Sequence, residues 1–454
     1  MLYPKTKPLS EEEMKIFCDE YRENNHIDLA MCEKYGVKRG LRNDDGTGVL
    51  AGLTSICDAQ GYERGEDGSV IPKEGRLLYR GYALKDLCKE AVEQDRFMFE
   101  EVLYLLLVGK KPTRIEFEMF KQMITNHREL PDGFAETMIF GAPSPNIMNK
   151  MTRSVLAMYS YDENAEDLSL ENVLSQSINL IAQLPTMMVY AYQVYRHVYQ
   201  HQSMYFHFPI EGLSTAEHVL ATLRGNQSYT HEEAKLLDLA LMCYADHGGG
   251  NSSTFADRVV SSVGTDTYSA IAAALSALKG SKLGGANIKV MRQLDELMRS
   301  GVNPDSDASV KRALKAILNK EMGDGSGLIY GIGHVIYTLS DPRAVVLRDN
   351  SAELARKLGH GKEYDMLRMI EKLAPECLRE EMGVTKPMCA NIDLYSGIVF
   401  RILGIEERLY APVFAIARIG GWCTHRMEEL AFNNRVIRPA YKYVGPENLK
   451  IKDQ

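Results

Sequence analysis

A mostly helical fold is what this 454-residue sequence predicts, and three observations carry the prediction. Four Ser/Thr-x-x-Glu patterns precede apolar runs: Ser10–Glu13, Thr113–Glu116, Ser214–Glu217 and Thr230–Glu233. In each, the hydroxyl can accept from the N–H three residues on while the glutamate reaches back to the first N–H, so each marks a helix start. Apolar residues then recur at intervals of three and four, the period of a helix with one buried face. Period-two alternation is almost absent; only 68–82 (GSVIPKEGRLLYRGY) reads as strand and turn, a short hairpin.

Along the chain, EEAKLLDLALMCYAD after Thr230 keeps the helical period and runs to His247, where Gly248, Gly249 and Gly250 supply a stop. DTYSAIAAALSALKG follows and ends at Gly280; small side chains on nearly every face predict a helix buried among other helices. Residues 301–309 (GVNPDSDAS) and 322–334 (MGDGSGLIYGIGH) are the most loop-like interior stretches. At roughly 100–200 residues per domain the length predicts two or three domains. No repeat, low-complexity tract or long Gly/Pro/Ser linker separates them. A second domain is therefore expected as an insertion packed closely on the first, and the stretch between Gly284 and Asp393 is its candidate.

Composition is that of a globular protein, 45% hydrophobic and 25% charged. A formal net charge of −8 argues against nucleic acid or an anionic membrane as the main partner, while a local arginine cluster can still hold a small polyanion. The cysteines (Cys18, Cys32, Cys57, Cys88, Cys243, Cys377, Cys389, Cys423) are scattered with no C-x-x-C pair, the usage of a reduced, cytoplasmic protein. MLYPKTKPLSEEEMK has no apolar signal core and is too acidic for a transit peptide. The longest apolar run, Val102–Val108, is far short of a membrane span. GDGSGLIYGIGH lacks G-x-G-x-x-G and follows a helical segment, GHGK at 359–362 lacks P-loop spacing, and no H-E-x-x-H occurs. Neither a dinucleotide nor a metal is expected.

Five segments combine ionisable residues with permissive glycines: 246–255 (DHGGGNSSTF), 279–287 (KGSKLGGAN), 330–334 (YGIGH) with 340–343 (SDPR), 391–397 (NIDLYSG), and 417–422 (ARIGGW) leading to Arg435 and Arg438-Pro439. In this order, preceded by KYGVKRGLRN, GVLAGLTSI, GRLLYRGY and FEEVLYLLLVG, they resemble the citrate synthase family over nearly the whole chain. Among its members the likeness is to bacterial citrate/2-methylcitrate synthases of about this length.

The resemblance implies an all-α, two-domain homodimer: a large helical domain of residues 1–286 and 395–454, and a small lid domain of residues 287–394. It also implies a chemistry of the EC 2.3.3 type. The methyl carbon of acetyl-CoA joins the ketone carbon of oxaloacetate, and thioester hydrolysis yields citrate and CoA, with no cofactor besides the acyl-CoA substrate. Propionyl-CoA in its place gives 2-methylcitrate. Such chemistry needs a base for a very weakly acidic C–H, a donor for the enolate oxygen, and cations for a dianion. On matching positions, Asp393 is the base, His334 donates to the ketone, and His247 contacts the ketoacid. Arg343, Arg418 and Arg438 grip carboxylates, the last from the partner subunit, and Lys386 contacts CoA.

One position departs. The family's G-P-x-H-G-G-A-N reads G-S-K-L-G-G-A-N, so Leu283 stands where the enol-stabilising histidine is kept and Ser281 replaces proline. Tyr244 likewise replaces a histidine that many relatives carry. Losing one such donor costs about 10²–10³ in rate. Three outcomes are open: a paralogue with weak or altered chemistry; a working synthase in which Lys282 or an ordered water donates; or an inactive protein that still binds di- or tricarboxylates.

Overall fold

The computed structural model describes residues 10–432 and 435–447. The expected helical architecture is observed, with seventeen α-helices and one three-stranded sheet among the described residues. The chain forms two compact units, one of Met1–Leu50 with Arg438–Gln454 and one of Ala51–Ile437. In the first, helix Glu11–Asn24 is capped by Ser10 and buries none of its residues. Among the described residues no helix is long and apolar enough to cross a membrane.

In the larger unit the local signals become structure. Thr113, Ser214 and Thr230 each form a reciprocal capping box with the glutamate three residues on. At Ser10 the hydroxyl accepts from Glu13 N but spends its own proton on the Glu13 carboxylate. The Leu170–Gln200 helix is buried without interruption from Leu180 to Tyr195, which makes it a core element. Thr267–Leu278, the alanine-rich helix, packs against Ser252–Ser262, Ile147–Met158 and Tyr410–Phe432. It stops two residues short of Gly280, whose carbonyl accepts from Leu283 and Gly284 instead.

Two departures from expectation position the site. The hairpin is longer than predicted: β1 (Cys57–Arg64) pairs antiparallel with β2 (Val70–Tyr79), and β3 (Tyr82–Ala83) completes the sheet. Polar and glycine-bearing, β1 carries no clean alternation to announce it. Its glycine is needed for packing. A Cβ on Gly61 would lie 2.3 Å from the Ile336 carbonyl oxygen, and one on Gly75 2.0 Å from that of Ser340. The 336–340 loop therefore rests directly on the sheet, tied there by Thr338 Oγ1 to the Gly61 carbonyl (2.5 Å) and Gly75 N to Ser340 Oγ (3.2 Å).

The second departure is a helix that ends early, at Tyr244 rather than His247. In a continuing helix Asp246 N–H would bond the Met242 carbonyl. The Tyr79 hydroxyl from β2 enters between them, donating to Met242 O (3.0 Å) and accepting from Asp246 N (3.3 Å). Asp246 and His247 are thereby released from the helix and turned into the site.

Candidate active site

Three chain segments meet around His247. The first is the released turn after Tyr244. The second is the loop on the sheet. Gly333 N bonds the Cys389 carbonyl (2.7 Å), Asn391 N bonds the Gly331 carbonyl (2.9 Å), and Asn391 Nδ2 bonds Gly333 O (2.8 Å). These bonds clamp the His334 loop to the residues just before Asp393. The third is the buried helix Tyr410–Phe432, which carries Arg418.

His334 and His247 stand edge to face with ring centroids 5.3 Å apart, and His334 stacks on Tyr337 at 4.7 Å. His334 Nδ1 accepts from the backbone N–H of Ile336 (3.1 Å) and Tyr337 (3.2 Å), which places the ring proton on Nε2. Nε2 lies 3.5 Å from Arg343 Nη2. His247 Nε2 is 3.2 Å from the Tyr337 hydroxyl. Burial, with the nearby charges of Arg343 and Arg418, pushes His247 well below the ordinary histidine value, so its imidazole is neutral.

Arg343 is locked. Its Nε and Nη2 bond both oxygens of Asp341 (3.0 and 2.8 Å), the N-cap of helix Pro342–Lys357. Burial opposes the charge, but Asp341 more than restores it, so the guanidinium is held fully ionised. Asp341 also accepts from Ile392 N (3.1 Å), joining the Arg343 helix to the start of helix Asp393–Ile402. Asp393 is the first residue of that helix, not its N-cap, and its own N–H bonds Asn391 Oδ1 (2.9 Å). Burial pushes its carboxyl up to about 6, with Arg343 opposing and Asp341 adding.

Arg418 is fully buried and ends without a counter-ion of its own. Nε donates to the Tyr244 carbonyl (2.6 Å), while neither Nη has a hydrogen-bond partner among the described residues. Burial lowers its proton affinity, and Asp246 is the chief charge opposing that. Asp246 is itself held by His425: Arg258 donates to Nδ1 (2.7 Å), leaving Nε2–H to donate to Asp246 Oδ2 (3.0 Å). Burial alone would raise Asp246, yet His425 and Arg418 hold it well below the usual carboxylate range.

Asp393, His334, His247, Arg343 and Arg418 are thus brought together. Leu283 sits in the turn between helices Thr267–Leu278 and Ala286–Arg299, half-buried against the core, with Ser281 and Lys282 exposed beside it. Lys386 is exposed, and Arg438 is exposed within the smaller unit. Sequence reasoning missed Asp341, Tyr337 and the Asp246–His425–Arg258 chain. Asp341 had a signal, an aspartate just before a proline-led helix. Among the described residues no cluster of three or more His, Cys, Asp or Glu is placed to hold a metal ion.

Residues 45–440 match the family described as citrate synthase, C-terminal domain. The chain is 35% identical over 384 residues to the citrate synthase of Haloferax volcanii, covering 83% of this chain and 91% of that protein. It is 30% identical over 376 residues to the 2-methylcitrate synthase of Shewanella oneidensis, covering 83% and 90% respectively. Among solved structures it is similar to the ternary complex of carboxymethyl coenzyme A and oxaloacetate with citrate synthase from Thermoplasma acidophilum. There the TM-score is 0.74 with 25% identity, over 92% of this chain and 98% of that one. The citrate synthase of Thermotoga maritima gives 0.70 with 28% identity, over the same 92% and 98%. By sequence along most of its length and by fold, this chain belongs to the citrate synthase family of acyl-CoA condensing enzymes.

Proposed function

We propose that the protein condenses acetyl-CoA with oxaloacetate, releasing citrate and CoA, at the site formed by Asp393, His334, His247, Arg343 and Arg418. Asp393 takes a proton from the acyl α-carbon, and its value near 6 gives a base that is ionised at neutral pH yet basic enough to share the proton. The electron pair left behind attacks the ketone carbon of oxaloacetate, and the C=O π pair moves to its oxygen, which takes the Nε2 proton of His334 and becomes the citryl hydroxyl. Neutral His247 contacts the ketoacid. Water then cleaves the citryl thioester, freeing the CoA thiol.

The observation that carries this reading is the buried, unpaired end of Arg418 beside the ion-paired Arg343. A planar carboxylate is what the two free Nη groups of Arg418 fit. The Thermoplasma enzyme, held with oxaloacetate and carboxymethyl coenzyme A in its complex, supports the same ligand classes here.

In this proposal residues 287–394 form the lid, Lys386 meets CoA, and Arg438 reaches the site of a partner subunit in a homodimer. No cofactor beyond the acyl-CoA takes part. Eight unpaired cysteines support a reducing, cytoplasmic setting.

Leu283 favours slow turnover, because an alkyl side chain offers nothing to the enolate oxygen. A thiol-release assay with oxaloacetate and acetyl- or propionyl-CoA tests the proposal, and the 2-methylcitrate synthase likeness makes propionyl-CoA the second arm. Leu283→His, close in volume, is expected to raise acetyl-CoA turnover at least about tenfold. Failure of oxaloacetate and citrate to bind at millimolar concentration, together with no thiol release from either form, would overturn it. Binding without turnover in either form would leave a dicarboxylate-binding paralogue.

A further inference from the structure

Leu283 removes a donor, yet another donor near Asp393 stands without an acceptor. Tyr244 is wholly buried, and its hydroxyl forms no hydrogen bond among the described residues. Burying an O–H with nothing to receive it is unfavourable, so the group calls for an acceptor that arrives with a ligand. Its ring is held at 4.3 Å from Phe414 and 6.4 Å from Phe400, centroid to centroid. Its carbonyl fixes Arg418. The hydroxyl faces Ser396, one turn on from Asp393, without the geometry of a hydrogen bond, and it feels the charges of Asp393 and Arg343.

The turn carrying Leu283 adjoins the same two helices. Asn287, at its end, donates to Ser396 Oγ (3.4 Å). Gly284 backs onto Ala411, one turn before Phe414, where an added Cβ would lie 3.3 Å from the alanine methyl. Tyr244 and Leu283 thus approach the Asp393 helix across neighbouring contacts.

Resting on the condensing reading above, we propose that the Tyr244 hydroxyl is the catalytic donor to the acyl oxygen, standing in for the histidine absent at 283. As Asp393 takes the α-proton, the C–H pair becomes the enolate C=C and the thioester oxygen gains charge. Tyr244 O–H donates to that oxygen and keeps its proton. Burial, with Asp393 close by, pushes the phenol well above its ordinary value, so the proton stays in place.

Four forms test this in the thiol-release assay at saturating oxaloacetate: wild type, Tyr244→Phe, Leu283→His and the double variant. Tyr244→Phe should lower wild-type kcat about a hundredfold and leave oxaloacetate affinity, by calorimetry, within about threefold. In the Leu283→His background the same change should cost less than about fivefold, since histidine makes the phenol redundant. Because the hydroxyl has no protein partner, the urea midpoint should not fall; a fall would mark a structural role and overturn the assignment. Equal cost in both backgrounds, or no cost in wild type, overturns it too. An inactive wild type beside an active Leu283→His form refutes Tyr244 alone. Inactivity of both forms with either acyl-CoA removes the condensing reading, and this proposal with it.

Discussion

Loss of Asp341 is costly on this structure. Its two oxygens accept from Arg343 N (3.0 Å), Nε (3.0 Å) and Nη2 (2.8 Å), and from Ile392 N (3.1 Å), with its side chain at 0% exposure. Asp341→Asn keeps the volume and a capping oxygen but replaces the other acceptor by a donor, so one N–H must face another. It also leaves the Arg343 charge buried without its counter-ion. Breaking a buried pair from one side costs about 3–5 kcal/mol, and the retained oxygen places this variant at the lower end, about 3 kcal/mol. The assay is urea unfolding of wild type, Asp341→Asn, Arg343→Met and the double variant. In the Arg343→Met background most of the cost should vanish, giving a coupling of at least about 2 kcal/mol. A single-variant loss below about 0.5 kcal/mol, or additivity in the cycle, would refute the view that Asp341 holds Arg343 ionised and ties it to the Asp393 helix.

Further outcomes follow from the same geometry. Arg418→Met should abolish calorimetric oxaloacetate binding while raising the urea midpoint, because it removes a buried cation whose Nη groups are unpaired; a lowered midpoint would mean the arginine is structural. With Asp393 at about 6, log(kcat/KM) should fall with unit slope as pH drops through about 6. The folded state keeps a proton there that the unfolded chain has released since about pH 4, so this stabilising contribution is full in acid and lost as pH rises through 6. Asp393→Asn should therefore be inactive yet more stable than wild type by about 3 kcal/mol at pH 8, and nearly level with it near pH 4. Mixing Arg438→Ala with Asp393→Asn in a Leu283→His background should restore part of the lost activity, since one site of each heterodimer keeps both residues. No recovery despite demonstrated subunit exchange would deny that Arg438 acts across subunits.

What the sequence disclosed was whatever depends on neighbours in the chain. Capping glutamates sit three residues from their hydroxyls, apolar periods run within one helix, and each motif carries its own glycines. The rest depends on residues that meet only after folding. The early stop at Tyr244 is made by Tyr79, 163 positions before Met242, and no property of residues 231–247 announces it. His425 holds Asp246 across 179 positions, and β1 shows its need for Gly61 only against the loop at 336. Asp393 is a case between the two. Its motif marks the position, but only the fold shows that Asn391 Oδ1 takes the Asp393 N–H, which leaves the Asp393 carboxyl free to titrate.

The energetics of three buried groups bear on what Leu283 means. Arg418 is buried with unpaired Nη groups, Asp393 carries a carboxyl that burial disfavours as an anion, and Tyr244 hides a hydroxyl without an acceptor. Each lowers the stability of the folded chain by itself, and for each a common substitution (methionine, asparagine, phenylalanine) would raise it. Stability alone therefore favours losing all three, and a ligand that supplies a carboxylate and an acceptor oxygen would offset the cost of Arg418 and Tyr244. Leu283 is of the opposite kind, an alkyl group packed against the core, favourable without any ligand. A pocket relaxing toward inert binding would shed the desolvated base along with the histidine. This one keeps Asp393 beside the arginine that would hold the ketoacid, and at 244, where the resemblance implies a histidine, it places a phenol that can still donate, the arrangement expected where enolisation proceeds through a donor other than residue 283.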